Sequence, residues 1–177
     1  ANNNDGDSTN TSDNRGHVRV YQYNDVSWSQ LGADIEGEAE EDQSGVSVSL
    51  SSDGTIVAIG TYGNDDNGYK SGHVRVYQYD ASKLTAVSDE NSADYGPIGW
   101  RRLGEDIDGE AANDGSGGGR SMSLSSDGTI VAIGAYGNDG TDTTDSKRGH
   151  VRVYEITTDK TYADISGGYY DVIGGYN

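Results

Sequence analysis

The sequence predicts an all-β fold built from an antiparallel strand unit of about 55 residues that recurs along the chain. Composition is the first observation behind this prediction. Gly accounts for 27 of the 177 residues and Tyr for 13, Pro occurs once and Phe is absent, which favours many short strands joined by tight turns. Repetition is the second observation, because three blocks of sequence return in a fixed order and define a unit of several strands.

The three repeated blocks differ in how closely their copies agree. The second block returns unchanged, the first returns unchanged at 72–79 and over its first six residues at 149–154, and the third returns with substitutions. The first block and its copies occupy residues 16–23, 72–79 and 149–154, the second 49–60 and 123–134, and the third 28–38 and 100–110.

Two strands and the turn between them are predicted from the second block. Residues 46–50 alternate apolar side chains with serine, the period-two pattern of a strand with one apolar face, here called strand A. The pair Asp53-Gly54 predicts a two-residue hairpin turn, since both residue types tolerate positive φ. Residues 55–59 are apolar or small on both faces, as expected for a central strand, strand B.

The other two blocks predict the remaining strands of the unit. Segment 73–79 predicts strand C, with valines on one face and His, Arg and Tyr on the other. The blocks that begin at Trp28 and Trp100 predict a shorter outer strand D. Four antiparallel strands in a unit of this length are typical of a β-propeller blade. A closed propeller has about four to eight blades, so the sequence predicts an incomplete or open array.

The repeat divides the chain into five segments. Residues 80–99 insert between strands C and D, and the last residues lack the Trp and the Leu-Gly of strand D. Residues 172–177 resemble the exit of strand B, either by chance or because this strand is donated to the incomplete first unit of the next chain. The predicted segments are a partial repeat at 1–27, repeat 1 at 28–79, the insertion at 80–99, repeat 2 at 100–156 and a Tyr/Gly-rich tail at 157–177.

Charge and apolar content exclude several classes of partner. With 30 acidic and 12 basic residues the formal net charge is −18, which repels nucleic acid and anionic membranes and attracts cations. Cysteine is absent, so neither disulfides nor thiolate metal sites stabilise the fold. No apolar run approaches the roughly 20 residues that cross a bilayer, and we expect no membrane insertion.

Loops rich in Asp, Asn and Gly predict candidate calcium sites, because closely spaced side-chain oxygens surround a hard cation. None has the twelve-residue spacing of an EF-hand, and an ordinary Asx turn is the alternative. The candidate calcium ligands are Asp5, Asp7, Asp65, Asp66, Asp139 and Asp142. Asn10, in the sequon Asn10-Thr11-Ser12, is a candidate glycosylation site.

The three histidines argue against catalysis. His17, His73 and His150 occupy the same position in successive units, and a catalytic residue is rarely needed once per repeat. We expect them to contact neighbouring blades, and the arginines two positions later to pair with carboxylates of adjacent strands. No Ser/His/Asp order, phosphate loop or zinc motif stands out, so the sequence predicts a protein that is not an enzyme.

The Gly-His-Val-Arg-Val-Tyr strand, the Trp-x-x-Leu-Gly-x-Asp-Ile strand and the long Asp-Gly hairpin resemble FG-GAP-type repeats of surface proteins from microbes and algae, over residues 15–154. Such repeats are similar in blade plan to the integrin α-chain β-propeller, although this chain has no Phe and no full integrin calcium loop. The resemblance implies adhesion, matrix or ligand binding at an extracellular or cell-surface location, usually without catalysis.

These observations lead to two expectations about function. The first is a non-catalytic structural or adhesive protein that associates head to tail with its own copies into a filament or surface layer, since the chain starts and stops inside a unit. The alternative is a segment of a larger closed β-propeller that binds a glycan or a surface protein.

Overall fold

The structure is a computed structural model that describes residues 13–119, 121–140 and 147–156, and the backbone of 162–164 and 171–173. Its regular elements are eleven strands. Within these residues there is no helix of the length and apolar character needed to span a bilayer. The strands are β1 (His17–Tyr23), β2 (Trp28–Glu36), β3 (Ser44–Leu50), β4 (Ile56–Thr61), β5 (His73–Tyr79), β6 (Trp100–Asp108), β7 (Met122–Leu124), β8 (Ile130–Ala135), β9 (His150–Ile156), β10 (Tyr162–Asp164) and β11 (Asp171–Ile173).

The described strands form three antiparallel sheets, here called the first, second and third sheet. The first pairs β1 with β2, the second has the order β3-β4-β5-β6, and the third has the order β11-β10-β9-β8-β7. Along the chain this gives strands C and D, then A to D, then A to C, in the predicted order. The predicted fold class is confirmed: an all-β, open array of antiparallel, propeller-type blades.

Strand B is central in the second sheet, as its sequence predicts. β4 lies between β3 and β5, and Val57, Ala58 and Ile59 are all at most 1% exposed. Small and branched side chains on both faces allow neighbouring sheets to pack above and below. Gly60 lets the connection from β6 to β7 approach this strand closely, because an added Cβ would lie 2.2 Å from the carbonyl oxygen of Gly117.

The turn between β3 and β4 is wider than the predicted two-residue turn. The strands end at Leu50 and begin again at Ile56, and only Gly54 of the Asp-Gly pair has positive φ. The reason is that Asp53 acts through its side chain. Its Oδ1 accepts hydrogen bonds from Ser51 Oγ at 2.7 Å and from the amide of Thr55 at 3.0 Å, which holds a longer loop closed.

Strand D also differs from its prediction, because it is long rather than short. β2 and β6 each contain nine residues. The pairing of β5 with β6 shifts register between Val74 and Val76, and the equivalent pairing of β1 with β2 shifts between Val18 and Val20. This irregularity takes up the extra residues of strand D, so that the ladder continues to both ends of strand C.

The hydrophobic core lies between the sheets, which stack in chain order. In the second sheet, the face that packs against the first sheet is here called the back face, and the face that packs against the third is the front face. One cluster joins the front of the first sheet to the back of the second through Val18, Val20, Ile35, Val57, Ile59, Tyr77 and Trp100. The other joins the front of the second to the back of the third through Ala58, Val74, Val76, Leu103, Ile107, Val131, Ile133 and Tyr154.

The insertion at 80–99 is folded around a buried lysine. Lys83 is 5% exposed, and its Nζ donates hydrogen bonds to the carbonyl oxygens of Thr85 at 2.8 Å, Gly96 at 2.6 Å and Pro97 at 3.0 Å. Both ends of the insertion therefore converge on one ammonium group. This arrangement closes the insertion on itself.

The tail contributes the two outer strands of the third sheet. β10 pairs with β9, and β11 pairs with β10. In the single chain, Val172 and Ile173 thus belong to an in-chain hairpin. Donation of this segment to another chain stays a prediction, and residues 174–177 lie outside the described residues.

Candidate functional site

The connection from β2 to β3 carries Glu38 towards the second sheet. Asp42 Oδ2 holds this connection by accepting the amides of Glu38 and Ala39, each at 3.0 Å. The connection from β6 to β7 repeats the arrangement, with Asp114 Oδ2 accepting the amides of Glu110 and Ala111, each at 3.1 Å. The first and second sheets therefore each present one glutamate to the sheet that follows.

Arg75 on β5 receives the glutamate from the first sheet. It is 5% exposed and binds Asp106 on β6 in a bidentate manner, with Nε to Oδ1 at 2.8 Å and Nη2 to Oδ2 at 2.5 Å. Its Nη2 also forms a salt bridge with Glu38. Arg102 adds a second cation, with Nη1 at 2.8 Å from Asp106 Oδ1. The result is a partly buried network at the junction of two sheets.

His73 lies beside this network and is almost completely buried, with 1% of its surface exposed. Its Nδ1 has no hydrogen-bond partner, and Asp106 Oδ2 lies 3.8 Å away. Burial, followed by the positive charge of Arg75, lowers the pKa of His73 to about 4. The imidazole is therefore neutral at neutral pH.

Asp66, from the loop between β4 and β5, completes a group that we call the junction cluster: Glu38, Asp66, His73 and Asp106. One ligand atom from each lies within 4.8 Å of the others. Asp66 is exposed, and buried Asn64 orients it by donating from Nδ2 to Asp66 Oδ2 at 3.0 Å. Within the described residues this is the one group of such side chains with metal-ligand spacing.

The carboxyl groups of the junction differ in the direction in which their pKa values are shifted. Burial raises the pKa of Glu38 despite the nearby Arg75. The hydrogen bond and charge of Arg75 hold the pKa of Asp106 below its usual value, although burial opposes them. Desolvation and the charges of Asp106 and Asp66 raise the pKa of Asp108 to about 6. Negative charge is therefore in surplus on this side of the second sheet.

The insertion covers part of the junction cluster through Tyr95. The Tyr95 hydroxyl donates to Glu38 Oε1 at 3.2 Å, and its ring centroid lies 4.5 Å from the guanidinium carbon of Arg102. Beside it, an open cleft of ≈ 660 Å³ separates the insertion from the first sheet. The cleft lining includes Asp34, Glu36, Val87 and Pro97.

The third sheet carries a reduced version of the cluster. His150 Nδ1 lies 3.6 Å from Glu110 Oε2, and Arg152 Nη1 lies 3.3 Å from Glu110 Oε1. Gly140 occupies the sequence position that corresponds to Asp66. Two sheets thus share the His-Arg-Glu contact, and the aspartate from the loop is specific to the second.

The structure places the described calcium candidates in two loops, Asp65 and Asp66 before β5 and Asp139 before β9. Asp65 Oδ1 accepts the amide of Lys70 at 2.7 Å, and Asp139 Oδ1 accepts the amide of Lys147 at 2.8 Å. These are loop-closing contacts, and of the described candidates Asp66 alone joins the junction cluster. Calcium binding stays a prediction. Asp5, Asp7, Asp142 and the glycosylation candidate Asn10 lie outside the described residues.

The sequence predicts one part of this site, the pairing of the arginines with carboxylates. The arginine prediction is confirmed for Arg19, which pairs with Asp34 on the adjacent strand, and for Arg75. The predicted site residues do not include Glu38, Asp106 or Tyr95. The repeated motif Asp-Ile-x-Gly-Glu at 34–38 and 106–110 is the signal that would have indicated the aspartate and the glutamate. No repeat signal indicates Tyr95, because it lies in the insertion.

Fold and site together define a class of protein: an open stack of propeller-type blades, two of which are joined by a partly buried charge network. Residues 36–77 match the family model described as FG-GAP repeat, which confirms the predicted repeat type for the segment from the end of β2 through β5. Repeats of this family are generally non-enzymatic and typically extracellular. No curated protein and no solved structure matched the chain.

Proposed function

We propose that the chain is a non-catalytic extracellular module, structural or adhesive, that associates head to tail with further copies of itself. The observation that carries this proposal is a likeness between outer and inner faces of the stack. The two faces left uncovered among the described residues carry the residue types that are buried where sheets meet inside the chain.

The back face of the first sheet is one of these surfaces. Trp28 is 67% exposed and Tyr21 is 47% exposed, whereas their counterparts in the second sheet, Trp100 and Tyr77, are 0% and 2% exposed. An exposed aromatic pair of this kind is typical of an interaction surface. Inside the chain, the equivalent back face of the second sheet packs against the front face of the first. The complement of the exposed back face is therefore the front face of another sheet.

The front face of the third sheet offers such a complement. Val151 is 63% exposed, and its counterpart Val74 in the second sheet is 0% exposed. A shallow groove beside Val151 is lined by Ser121, Gly134 and Ala132. At the equivalent positions of the second sheet, small residues let the second and third sheets approach closely. A back face from a second copy therefore fits this surface of the third sheet.

Because a front face is unlike a back face, their contact is heterologous. Heterologous contacts form rings when the rotation closes and filaments when it does not. The net charge of −18 opposes association between copies. Assembly should therefore strengthen as salt is added, since the Debye length falls to about 8 Å at physiological ionic strength.

The experiment blocks one face at a time. Val151→Asp places a charge on the front face and Trp28→Asp places one on the back face, and each variant alone should remain monomeric. Mixed together, they retain one intact face each and should form a 1:1 dimer of about twice the 18.7 kDa of one chain. Leu84→Asp, at a position of the insertion that is 77% exposed, is the control and should assemble like the unaltered chain.

Light scattering coupled to size-exclusion chromatography and negative-stain electron microscopy provide the measurements. Fibres or rings from the unaltered chain, together with the complementation of the two variants, support head-to-tail stacking. A chain that stays monomeric at millimolar concentration and physiological salt contradicts it.

A second candidate function follows from the cleft between the insertion and the first sheet. Its mixture of carboxylates with Val87 and Pro97 suits a glycan or a peptide held by hydrogen bonds and apolar contact, as a segment of a larger closed propeller would require. A glycan-array and peptide-array screen tests it. Val87→Arg should abolish any binding, and Leu84→Arg should preserve it.

A further inference from the structure

The four members of the junction cluster come from separate parts of the chain. Glu38 follows β2, Asp66 lies in the loop after β4, and His73 and Asp106 lie on neighbouring strands of the second sheet. Their convergence within 4.8 Å therefore depends on the tertiary fold. The set contains one imidazole nitrogen and three carboxylate oxygens, and all of these are metal-ligand types.

The unpartnered Nδ1 of His73 is an independent observation that points to a ligand. It is buried, has no hydrogen-bond partner, and belongs to the atoms that face one another in the cluster. Buried polar atoms without partners are rare in folded proteins and cost stability. In the tautomer that leaves Nδ1 unprotonated, this nitrogen offers a lone pair to a metal ion that the three carboxylates of the cluster can ligate as well.

From these observations we infer that the junction cluster binds a divalent transition-metal ion of the zinc class, held by Glu38, Asp66, His73 and Asp106. An imidazole ligand favours zinc, copper or nickel over calcium and magnesium, which prefer oxygen ligands alone. The ion would join the first sheet, through Glu38, to the second.

The distances require a modest contraction on binding. Ligand atoms about 2.1 Å from a tetrahedral ion lie about 3.4 Å from one another. His73 Nδ1 and Asp106 Oδ2 are already 3.8 Å apart. The larger movements fall to Glu38 and Asp66, which belong to loops and are not part of the sheet ladder.

Arg75 is compatible with an ion at this position. It pairs with Asp106 and with Glu38, but a carboxylate offers about four lone-pair sites and bridges two cations through different ones. Asp66 has no salt bridge among the described residues, so its charge is available to the ion. The surrounding hydrogen bonds, from Asn64 to Asp66 and from Tyr95 to Glu38, orient the ligands as outer-shell partners do in metal sites.

The experiment uses the whole chain, dialysed against EDTA and then into a buffer that does not bind metals. Calorimetric titration with zinc chloride should show one ion per chain, and zinc should raise the melting temperature. His73→Gln and Asp66→Asn should each weaken binding at least about tenfold. Asp66 is exposed, so Asp66→Asn tests the site even if the histidine variant folds poorly.

The matched control is His150→Gln, at the equivalent position of the third sheet, where glycine replaces the loop aspartate. This variant should bind zinc like the unaltered chain, and calcium chloride should give no comparable stabilisation. Unchanged zinc affinity in either His73→Gln or Asp66→Asn, an equal loss in His150→Gln, or the absence of saturable zinc binding overturns the proposal.

Discussion

The first and second sheets carry the same aromatic pair in opposite environments. Tyr23 and Trp28 have ring centroids 5.3 Å apart, and so do Tyr79 and Trp100. Trp28 is nevertheless 67% exposed, whereas Trp100 is 0% exposed. The local pairing of strands C and D thus sets the ring geometry, and the neighbouring sheet decides whether the pair belongs to a core or a surface.

Strand A shows the same contrast in burial between the second sheet, where it is β3, and the third sheet, where it is β7. Val48 and Leu50 are 54% and 48% exposed, although the corresponding Met122 and Leu124 pack against a core cluster. The described part of the first sheet has two strands and reaches only part of the back face of the second. Equivalent sequence positions therefore contribute unequally to stability, and paired substitutions at such positions test this directly.

The largest expected difference is between the two tryptophans. Trp100→Ala removes a buried ring and its hydrogen bond from Nε1 to the carbonyl oxygen of Leu31, 3.0 Å long, and should lower the free energy of unfolding by about 3–5 kcal/mol. Trp28→Ala in the monomer should change it by less than about 1 kcal/mol. Urea titration of both variants provides the measurement, and equal losses would contradict the contrast in burial.

The next difference concerns the arginines on strand C. Arg75→Gln leaves Glu38 and Asp106 without their shared partner in a poorly solvated junction and should cost about 3 kcal/mol. Arg19, with 47% of its side chain exposed, pairs with Asp34 at the surface, and Arg19→Gln should change the free energy of unfolding far less. Chemical denaturation at low and high salt distinguishes the losses in unfolding free energy of the two variants, because salt should weaken only the surface pair of Arg19 with Asp34.

The last of these expected effects is a dependence on pH. The pKa of His73 falls from 6.5 to about 4 on folding, so the unfolded chain binds the proton more readily. The resulting stabilisation is fully present above pH 6.5 and is lost as the pH falls towards 4.

The test is the difference in unfolding free energy between the unaltered chain and His73→Gln, measured in EDTA. It should shrink by about 3 kcal/mol from pH 7 to pH 4. Asp108 titrates in both proteins and cancels in this difference. A flat profile for His73→Gln relative to the unaltered chain would refute the assignment to His73.

Strand order, the central position of β4 and the type of repeat could be predicted from the sequence, because each depends on local periodicity or on copies of one block. The junction cluster could not. Its members are far apart in sequence, and the pairing of Glu38 with Arg75 depends on how one sheet packs on the next. The width of the hairpin turn was missed for a local reason: the hydrogen bonds of the Asp53 side chain decide it, whereas φ preferences alone suggested a tighter turn.

The hairpin from β3 to β4 has a consequence for how the chain folds. Residues 49–60 and 123–134 are identical, and each closes its turn through one aspartate, Asp53 or Asp127. Hairpins form within about 1–10 μs, so both should exist before long-range contacts select their positions, and either one then suits either blade. Exchange of neighbouring units is a known failure of repeat proteins. Residues beside the identical run, such as Val48 and Met122, therefore distinguish one hairpin from the other during folding.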